Sequence, residues 1–106
     1  MAKEQIKKEE YNKNIEEIKQ KITPVLRQYK VTKAGIFGSF ARGEQKKGSD
    51  VDILIEIRDW AGLLALAGLK IQLEEKLKRR VDIVEYAGIR KELKDNILND
   101  EIPIKL

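Results

Sequence analysis

Apolar residues recur at alternating steps of four and three within the first thirty positions, which is the spacing of one face of an α-helix. The stripe consists of Tyr11, Ile15, Ile18, Ile22, Val25 and Tyr29. It ends at Lys30 instead of continuing through further heptads. We therefore expect this helix to pack on a sheet of the same chain and not in a coiled coil.

Three short segments with β-strand character follow this helix. The first spans residues 31–37, and the third spans residues 81–84. In the second, apolar residues occupy alternate positions from 51 to 57, so that Asp50 and Asp52 are expected on the opposite face of the strand. Between the first two segments, residues 39–42 are predicted to form a helical turn that Ser39 caps and Gly43 stops, followed by a polar loop over residues 44–49.

Two further helices are predicted around the third strand segment. The earlier one covers residues 61–79, with leucines at helical spacing and a basic cluster at its carboxyl end, to which we assign mostly a capping role. That cluster comprises Lys76, Lys78, Arg79 and Arg80. The later helix is marked by Ile89, Leu93 and Ile97 and must stop before Pro103.

The apolar tail, residues 102–106, has too few apolar positions for another strand. It is expected either to be exposed as a partner surface or to pack against the first helix, and both alternatives stay open.

The order of elements predicts an α+β (α/β-like) fold, in which a small mixed β-sheet is flanked by helices. Residues 1–106 are interpreted as a single domain, because 106 residues with 42% apolar composition suffice for one modest core.

The composition narrows the possible chemistry. The chain contains neither Cys nor His, which excludes disulfides, thiolate or imidazole metal sites and Ser-His-Asp catalysis. A net charge of +4 is compatible with phosphate-bearing ligands but is equally typical of a solvated surface. Any catalysis must therefore use carboxylates, hydroxyls, Lys or Arg, and any metal must be a hard cation with oxygen ligands. No stretch resembles a leader or a membrane span of about 20 apolar residues, so we expect a cytoplasmic protein.

Two adjoining motifs carry the strongest chemical signal. Gly38 and Ser39 end the first strand, where a glycine allows close approach to phosphate and a serine offers a hydroxyl and free N–H groups. Asp50 and Asp52 begin the second strand and can share hard cations. Either motif alone is common, but together they indicate a phosphate and metal site.

Asp82 on the third strand is a candidate third acid, because its apolar neighbours Val81 and Ile83 face the other way. Three carboxylates on adjacent strands can hold two metal ions about 4 Å apart for an in-line phosphoryl displacement. The alternative is an exposed acid that pairs with Arg79 or Arg80, a contact worth under about 1 kcal/mol.

The sequence AGIFGSFARGE at residues 34–44, followed by SDVDILI at residues 49–55, resembles the active-site signature of the minimal nucleotidyltransferases of the DNA polymerase beta-like superfamily. The resemblance covers nearly the whole chain and implies the polymerase beta-like nucleotidyltransferase fold. It implies that Asp50 and Asp52 bind two Mg²⁺ ions, and that Asp82 ligates the catalytic metal and helps to deprotonate an acceptor hydroxyl.

The same resemblance implies that Gly38 and Ser39 hold the triphosphate of ATP. Arg42 would steady the turn or neutralise phosphate charge, and Lys46 and Lys47 are further candidates for phosphate contacts. For these three basic residues a solvated surface role is an equal alternative.

Family members of this size often act as antitoxins beside a HEPN-domain toxin and transfer AMP from ATP to one of its tyrosines. The resemblance thus implies a protein adenylyltransferase with a toxin partner. Two alternatives stay open: an antitoxin that neutralises its partner by binding alone, and a nucleotidyltransferase acting on a small molecule or RNA.

Overall fold

A computed structural model describes residues 8–58 and 62–106 of the chain. Its elements are α1 (Lys8–Gln28), β1 (Val31–Phe37), α2 (Gly38–Arg42), β2 (Val51–Ile57), α3 (Leu63–Leu77), β3 (Val81–Glu85), a 3-10 turn (Tyr86–Gly88), α4 (Lys91–Asp100) and β4 (Ile102–Ile104). The expected α+β fold is confirmed. No helix in these two ranges is both long and apolar enough to cross a membrane.

The four strands form one mixed sheet in the order β3-β2-β1-β4. Strand β1 runs antiparallel to both β2 and β4, whereas β2 and β3 are parallel and are joined through α3. Parallel strands need such a crossover, because a tight turn can only reverse the chain direction. This topology places β2 in the interior of the sheet and leaves one edge of β3 unpaired within the described part of the chain.

The main core lies between α1, α3 and one face of the sheet. Its fully buried side chains include Ile22, Leu26, Ile53, Ile55, Leu69 and Leu73, each with 0% exposure. Each such aliphatic side chain contributes about 1.5–3 kcal/mol by leaving water. The predicted stripe on the first helix is confirmed, since its four aliphatic positions are buried and its two tyrosines pack at the margin of this core.

The prediction that the apolar tail forms no strand was wrong. Ile102–Ile104 pairs with β1 as an antiparallel strand, in register with Ala34 to Ile36. The free edge of β1 offers backbone hydrogen-bonding groups to this segment, and Ile104 becomes buried at 6% exposure. The packing alternative is confirmed as well, because Arg27 Nε donates to the carbonyl oxygen of Leu106 at 3.2 Å.

The turn after β1 begins one residue earlier than expected. Helix α2 starts at Gly38, and no side-chain hydrogen bond caps it, so the prediction that Ser39 caps it was wrong. The reason is the backbone of Gly38, which has φ +76 and turns the chain directly out of the strand. Its predicted end is confirmed, because Gly43 adopts the left-handed conformation with φ 72.

The later helices also differ from the sequence prediction at their ends. Helix α3 ends at Leu77, because Lys78 takes a left-handed conformation with φ 57, and the predicted start at Ala61 lies outside the described residues. Helix α4 begins at Lys91, after Ile89, because a 3-10 turn precedes it. It contains no buried residue, and it ends before Pro103 as predicted.

The basic cluster after α3 was only partly interpreted correctly as a helix cap. Arg79 donates to the carbonyl oxygen of Ser49 at 3.1 Å, and its guanidinium lies 5.1 Å from the centre of the Phe40 ring. Arg80 Nε lies 3.5 Å from Asp50 Oδ1. Both arginines therefore hold the segment that leads into β2, a tertiary role that helix-end electrostatics does not indicate.

Candidate active site

Two of the three candidate acids lie side by side on the sheet. The parallel register of β2 and β3 pairs Asp52 with Asp82. Neighbouring strands are about 4.8 Å apart, and paired residues of parallel strands point to the same face. Their apolar neighbours Val51, Ile53 and Val81 are buried on the other face. The two carboxylates therefore share the face opposite the main core.

The end of β1 adjoins Asp52. In the antiparallel register Phe37 is opposite Asp52, and the chain then turns at Gly38. A Cβ atom at Gly38 would collide with Oδ2 of Asp52, and the φ of +76 at this position is itself unfavourable for other residues. Glycine is therefore needed here both for the turn and for the close approach of the carboxylate. The predicted Gly38 motif and the acid pair thus form one site.

The surroundings of Asp52 disfavour the charged form of its carboxyl group. Its pKa is raised to about 6, first because it is half-buried and then because Asp82 and Asp50 lie nearby. Arg42 acts in the opposite direction and lowers this pKa, but by less. The positive charge of Arg42 therefore does not balance the negative charge of the three acids around Asp52.

Asp50 immediately precedes β2 and is more exposed than Asp52. Its Oδ1 atom lies 3.5 Å from Arg80 Nε, in an ion pair whose two side chains are 46% and 81% exposed. In the described ranges no group of three acidic side chains is arranged to hold a metal ion. Asp50 would have to leave Arg80 to complete such a group with Asp52 and Asp82.

Ser39 and Arg42 lie on α2, beside the acids. Ser39 is half-buried, and its carbonyl oxygen accepts from the backbone N–H of Glu44 at 2.8 Å. Arg42 donates to Glu44 Oε1 at 2.9 Å and to Asp100 Oδ2 at 2.8 Å. The guanidinium thus connects α2 to α4, which favours the interpretation that Arg42 steadies the turn.

Lys46 and Lys47 are both exposed on the polar loop before β2. The backbone N–H of Lys46 donates to Ser49 Oγ at 2.8 Å. The backbone N–H of Ser49 donates to the carbonyl oxygen of Lys46 at 2.9 Å. These two bonds close the loop, and only main-chain groups of Lys46 take part in them. The ammonium groups of the two lysines take part in none of the described salt bridges.

Comparison with known protein families identifies the arrangement. The model of the nucleotidyltransferase domain family matches residues 15–104, which include both motifs and all three acids. The chain belongs to this family. It is a nucleotidyltransferase, and the resemblance to the minimal members of the family is confirmed by the relatives described next.

A protein of Methanocaldococcus jannaschii, whose name provisionally assigns it to the protein adenylyltransferases, is 50% identical to this nucleotidyltransferase over 91 residues. The alignment covers 86% of this chain and 98% of that protein. A solved structure, provisionally described as a minimal nucleotidyltransferase, shares 32% identity at a TM-score of 0.75 and covers 87% of this chain and 94% of its own.

A solved toxin-antitoxin complex with AMP-PNP matches at a TM-score of 0.70. It shares 26% sequence identity, and the match covers 80% of this chain and 70% of that chain. These relatives place the nucleotidyltransferase among small enzymes whose names concern nucleotide transfer to proteins and toxin-antitoxin pairs.

The donor chemistry of this nucleotidyltransferase fits a hard divalent cation. Asp50, Asp52 and Asp82 offer only carboxylate oxygens, the ligands that Mg²⁺ prefers. Burial and then the repulsion from Asp82 and Asp50 raise the pKa of Asp52, and a bound cation would relieve this repulsion. These residues could therefore hold the metal, with Asp52 as the central ligand.

A second cluster on the same face escaped the sequence analysis. The Glu101 side chain lies against Gly35 and accepts a hydrogen bond from Tyr86, whose ring has Lys33 Nζ at 4.4 Å from its centre. Burial and this hydrogen bond raise the pKa of the Tyr86 phenol. The glycine inside β1 was the available signal, because an isolated glycine in a strand often marks close approach by another group. The cluster anchors the start of β4 to the sheet.

Proposed function

We propose that this nucleotidyltransferase is Mg²⁺-dependent and transfers AMP from ATP to a tyrosine hydroxyl of a HEPN-domain toxin, for which it is the antitoxin. The support is the 50% identity to a relative named as a protein adenylyltransferase and the likeness to a toxin-antitoxin complex with AMP-PNP. The observation that carries the proposal is the register pairing Asp52 with Asp82 beside the Gly38 turn. A cytoplasmic location stays a prediction.

In this proposal the three acids divide the work. Asp50 and Asp52 would hold two Mg²⁺ ions, and Asp82 would be a further ligand of the catalytic one. When bound, the metal supplies positive charge that offsets the negative charge of the triphosphate and the transition state. Asp82 accepts the proton of the acceptor hydroxyl. The freed oxygen then bonds to the α-phosphorus, the bond from that phosphorus to the bridging oxygen breaks, and pyrophosphate leaves.

The neighbouring residues hold the nucleotide in position. Gly38 allows the tight turn that brings the start of α2 beside Asp52, where the triphosphate would bind. Ser39 offers its hydroxyl to the triphosphate tail. Arg42 supports this turn through Glu44 and Asp100 and adds positive charge near Asp52. Phosphoryl transfer depends mostly on such positioning and on charge neutralisation.

The test is intact-mass spectrometry of the product of the neighbouring gene, after incubation with the chain, ATP and Mg²⁺. We expect a mass gain of one or more AMP units. Asp52→Asn should lower the transfer rate by about a thousandfold or more, because it removes the central charge of the site.

Asp95→Asn is the matched control, because it makes the same chemical change at an exposed acid of α4. It should transfer AMP at the rate of the unmodified chain. Transfer that survives in Asp52→Asn would contradict the assignment of the site. A stable complex without any mass gain would favour an antitoxin that acts by binding alone.

A further inference from the structure

A cleft opens beside Asp82 at the free edge of β3. It has a volume of about 210 Å³ and lies between the first half of α3 and the strand. Its lining consists of Leu63, Leu66, Ala67, Lys70, Asp82 and Ile83. Asp82 faces the acid side of the sheet and Ile83 packs against the core margin, so that the cleft runs around the sheet edge from one face to the other.

The cleft has an apolar wall and a polar end. Four of its six lining residues are aliphatic, and the carboxylate of Asp82 is its link to the active site. Drug-sized ligands usually occupy sites of about 300–1,000 Å³, so the smaller cleft is better matched to a single side chain. A tyrosine has the corresponding shape, because its ring is apolar while its hydroxyl needs a polar partner.

The rim of the cleft is more apolar than a solvated surface requires. Leu63 is 76% exposed and its neighbour Leu64 is 88% exposed, the two highest exposures among the large apolar side chains of the described residues. Adjacent exposed leucines beside a cleft are typical of a surface that a partner covers. Here the cleft connects that surface directly to Asp82.

We propose that this cleft receives the ring of the acceptor tyrosine and directs its hydroxyl towards Asp82. This inference rests on the proposed function, and it identifies the acceptor side of the same site. The ring lies against Leu63, Leu66 and Ala67, and Lys70 provides a cation near the aromatic face. The cleft thereby selects a tyrosine over an aliphatic hydroxyl, since serine leaves the apolar wall unfilled.

The first test compares two leucines that differ in one respect. Leu63 lines the cleft, whereas Leu64 does not, and both are exposed enough to be shortened without harm to the core. We expect Leu63→Ala to lower kcat/KM for AMP transfer to the partner by about tenfold, the effect of lost apolar contact in a pocket. Leu64→Ala, which removes contact with the partner but leaves the cleft intact, should raise KM for the partner without lowering kcat, whereas Leu63→Ala should lower kcat as well. The affinity of either variant for ATP should stay within about twofold of the unmodified chain.

The second test fills the cleft instead of enlarging it. Ala67→Phe should block the ring site and therefore lower the rate of AMP transfer. Ile71→Phe is the control and should retain that rate, because it adds an aromatic ring at an exposed position on the same helix outside the cleft.

In NMR spectra of the chain without nucleotide, p-cresol should shift the methyl signals of Leu63 and Ala67, whereas ethanol should not. Methyl signals that p-cresol leaves in place would overturn the proposal.

The two proposals fail in different ways. Absence of AMP transfer by the unmodified chain would overturn the proposed function, and the acceptor cleft with it. Transfer by the unmodified chain at a rate that Leu63→Ala and Ala67→Phe both retain would overturn the cleft alone.

Discussion

Around Asp52 the two faces of β2 differ in chemistry. On one face Ile53 is fully buried between helices and strands, and no buried polar or charged residue occurs in the described parts of the chain. On the other face the next side chain along the strand, Asp52, is half-buried beside a second carboxylate. One residue of register thus separates hydrocarbon packing from concentrated negative charge.

This difference shows how a small domain can hold an unfavourable site. The helix-covered face contributes stability through burial, and nothing in it needs compensation. On the acid face, burial and the two neighbouring carboxylates raise the pKa of Asp52, and the opposing effect of Arg42 is smaller. We therefore expect truncation of a buried side chain on the first face to alter folding, and substitution of an acid on the second face to alter activity while it leaves stability unchanged or raises it.

The largest loss of stability should come from Ile53→Ala. The side chain is fully buried, and its truncation should lower the free energy of unfolding by about 2–5 kcal/mol through lost transfer energy and a residual cavity. Thermal unfolding followed by circular dichroism should show a melting temperature lower by about 10 °C or more. Glu56→Ala, an exposed position of the same strand, should change it far less. Equal losses in both variants would contradict the contrast between the faces.

Gly38→Ala tests whether the contact between Gly38 and Asp52 matters for activity beyond the backbone strain of a positive φ. Gly48→Ala is its matched control, because both glycines have positive φ, +76 and +87, but only at Gly38 would a Cβ meet Asp52. Both variants should lose about 1 kcal/mol of stability. Only Gly38→Ala should lose transferase activity, by about a hundredfold, as the displaced carboxylate no longer fits the site. Similar activity of the two variants would show that the contact with Asp52 is unimportant.

Asp52→Asn should stabilise the fold in a chelator at neutral pH. The folded-state pKa of Asp52 is about 6, above its ordinary value of 3.8, so the folded chain binds the proton more tightly than the unfolded chain. Stability of the unmodified chain should therefore rise as pH falls from above 6 to about 4. The variant should gain about 1 kcal/mol above pH 6, reduced from a larger shift because the carboxylate is partly solvated. A pH series of urea unfolding curves measures this gain, and no gain at pH 8 would contradict it.

The sequence predicted the elements whose pattern is local. The stripe of the first helix, the alternation in β2 and the outward direction of Asp82 all depend on periods of 3.6 and 2 that a short window contains. The pairing of Asp52 with Asp82 was different. It depends on strand order, which no periodicity encodes, and only the structure shows it.

Several features that the sequence did not predict have a non-local cause. Three residues with a central proline, Ile102–Ile104, become a strand only because the edge of β1 is available nearly seventy residues earlier in the chain. The sequence indicated that Arg42 steadies its turn, but it did not indicate the partner Asp100, which is 58 residues away. Arg79 and Arg80 bind the segment before β2, a contact that their position after α3 does not indicate. The cleft beside Asp82 arises where α3 packs on β3. Local propensity carries no information on such contacts.

The smallest effect concerns the ion pair at the margin of the acid face. Arg80 lies 3.5 Å from Asp50, but both side chains are exposed, so the pair is worth under about 1 kcal/mol. Because a metal and Arg80 would compete for the same carboxylate, Arg80→Gln should lower the Mg²⁺ concentration for half-maximal transfer by about twofold to threefold. Arg90→Gln is the matched control, since Arg90 pairs with Glu92 on an exposed surface elsewhere. If Arg80→Gln instead raises the Mg²⁺ requirement, then Arg80 assists the site by positioning Asp50 and does not compete for it.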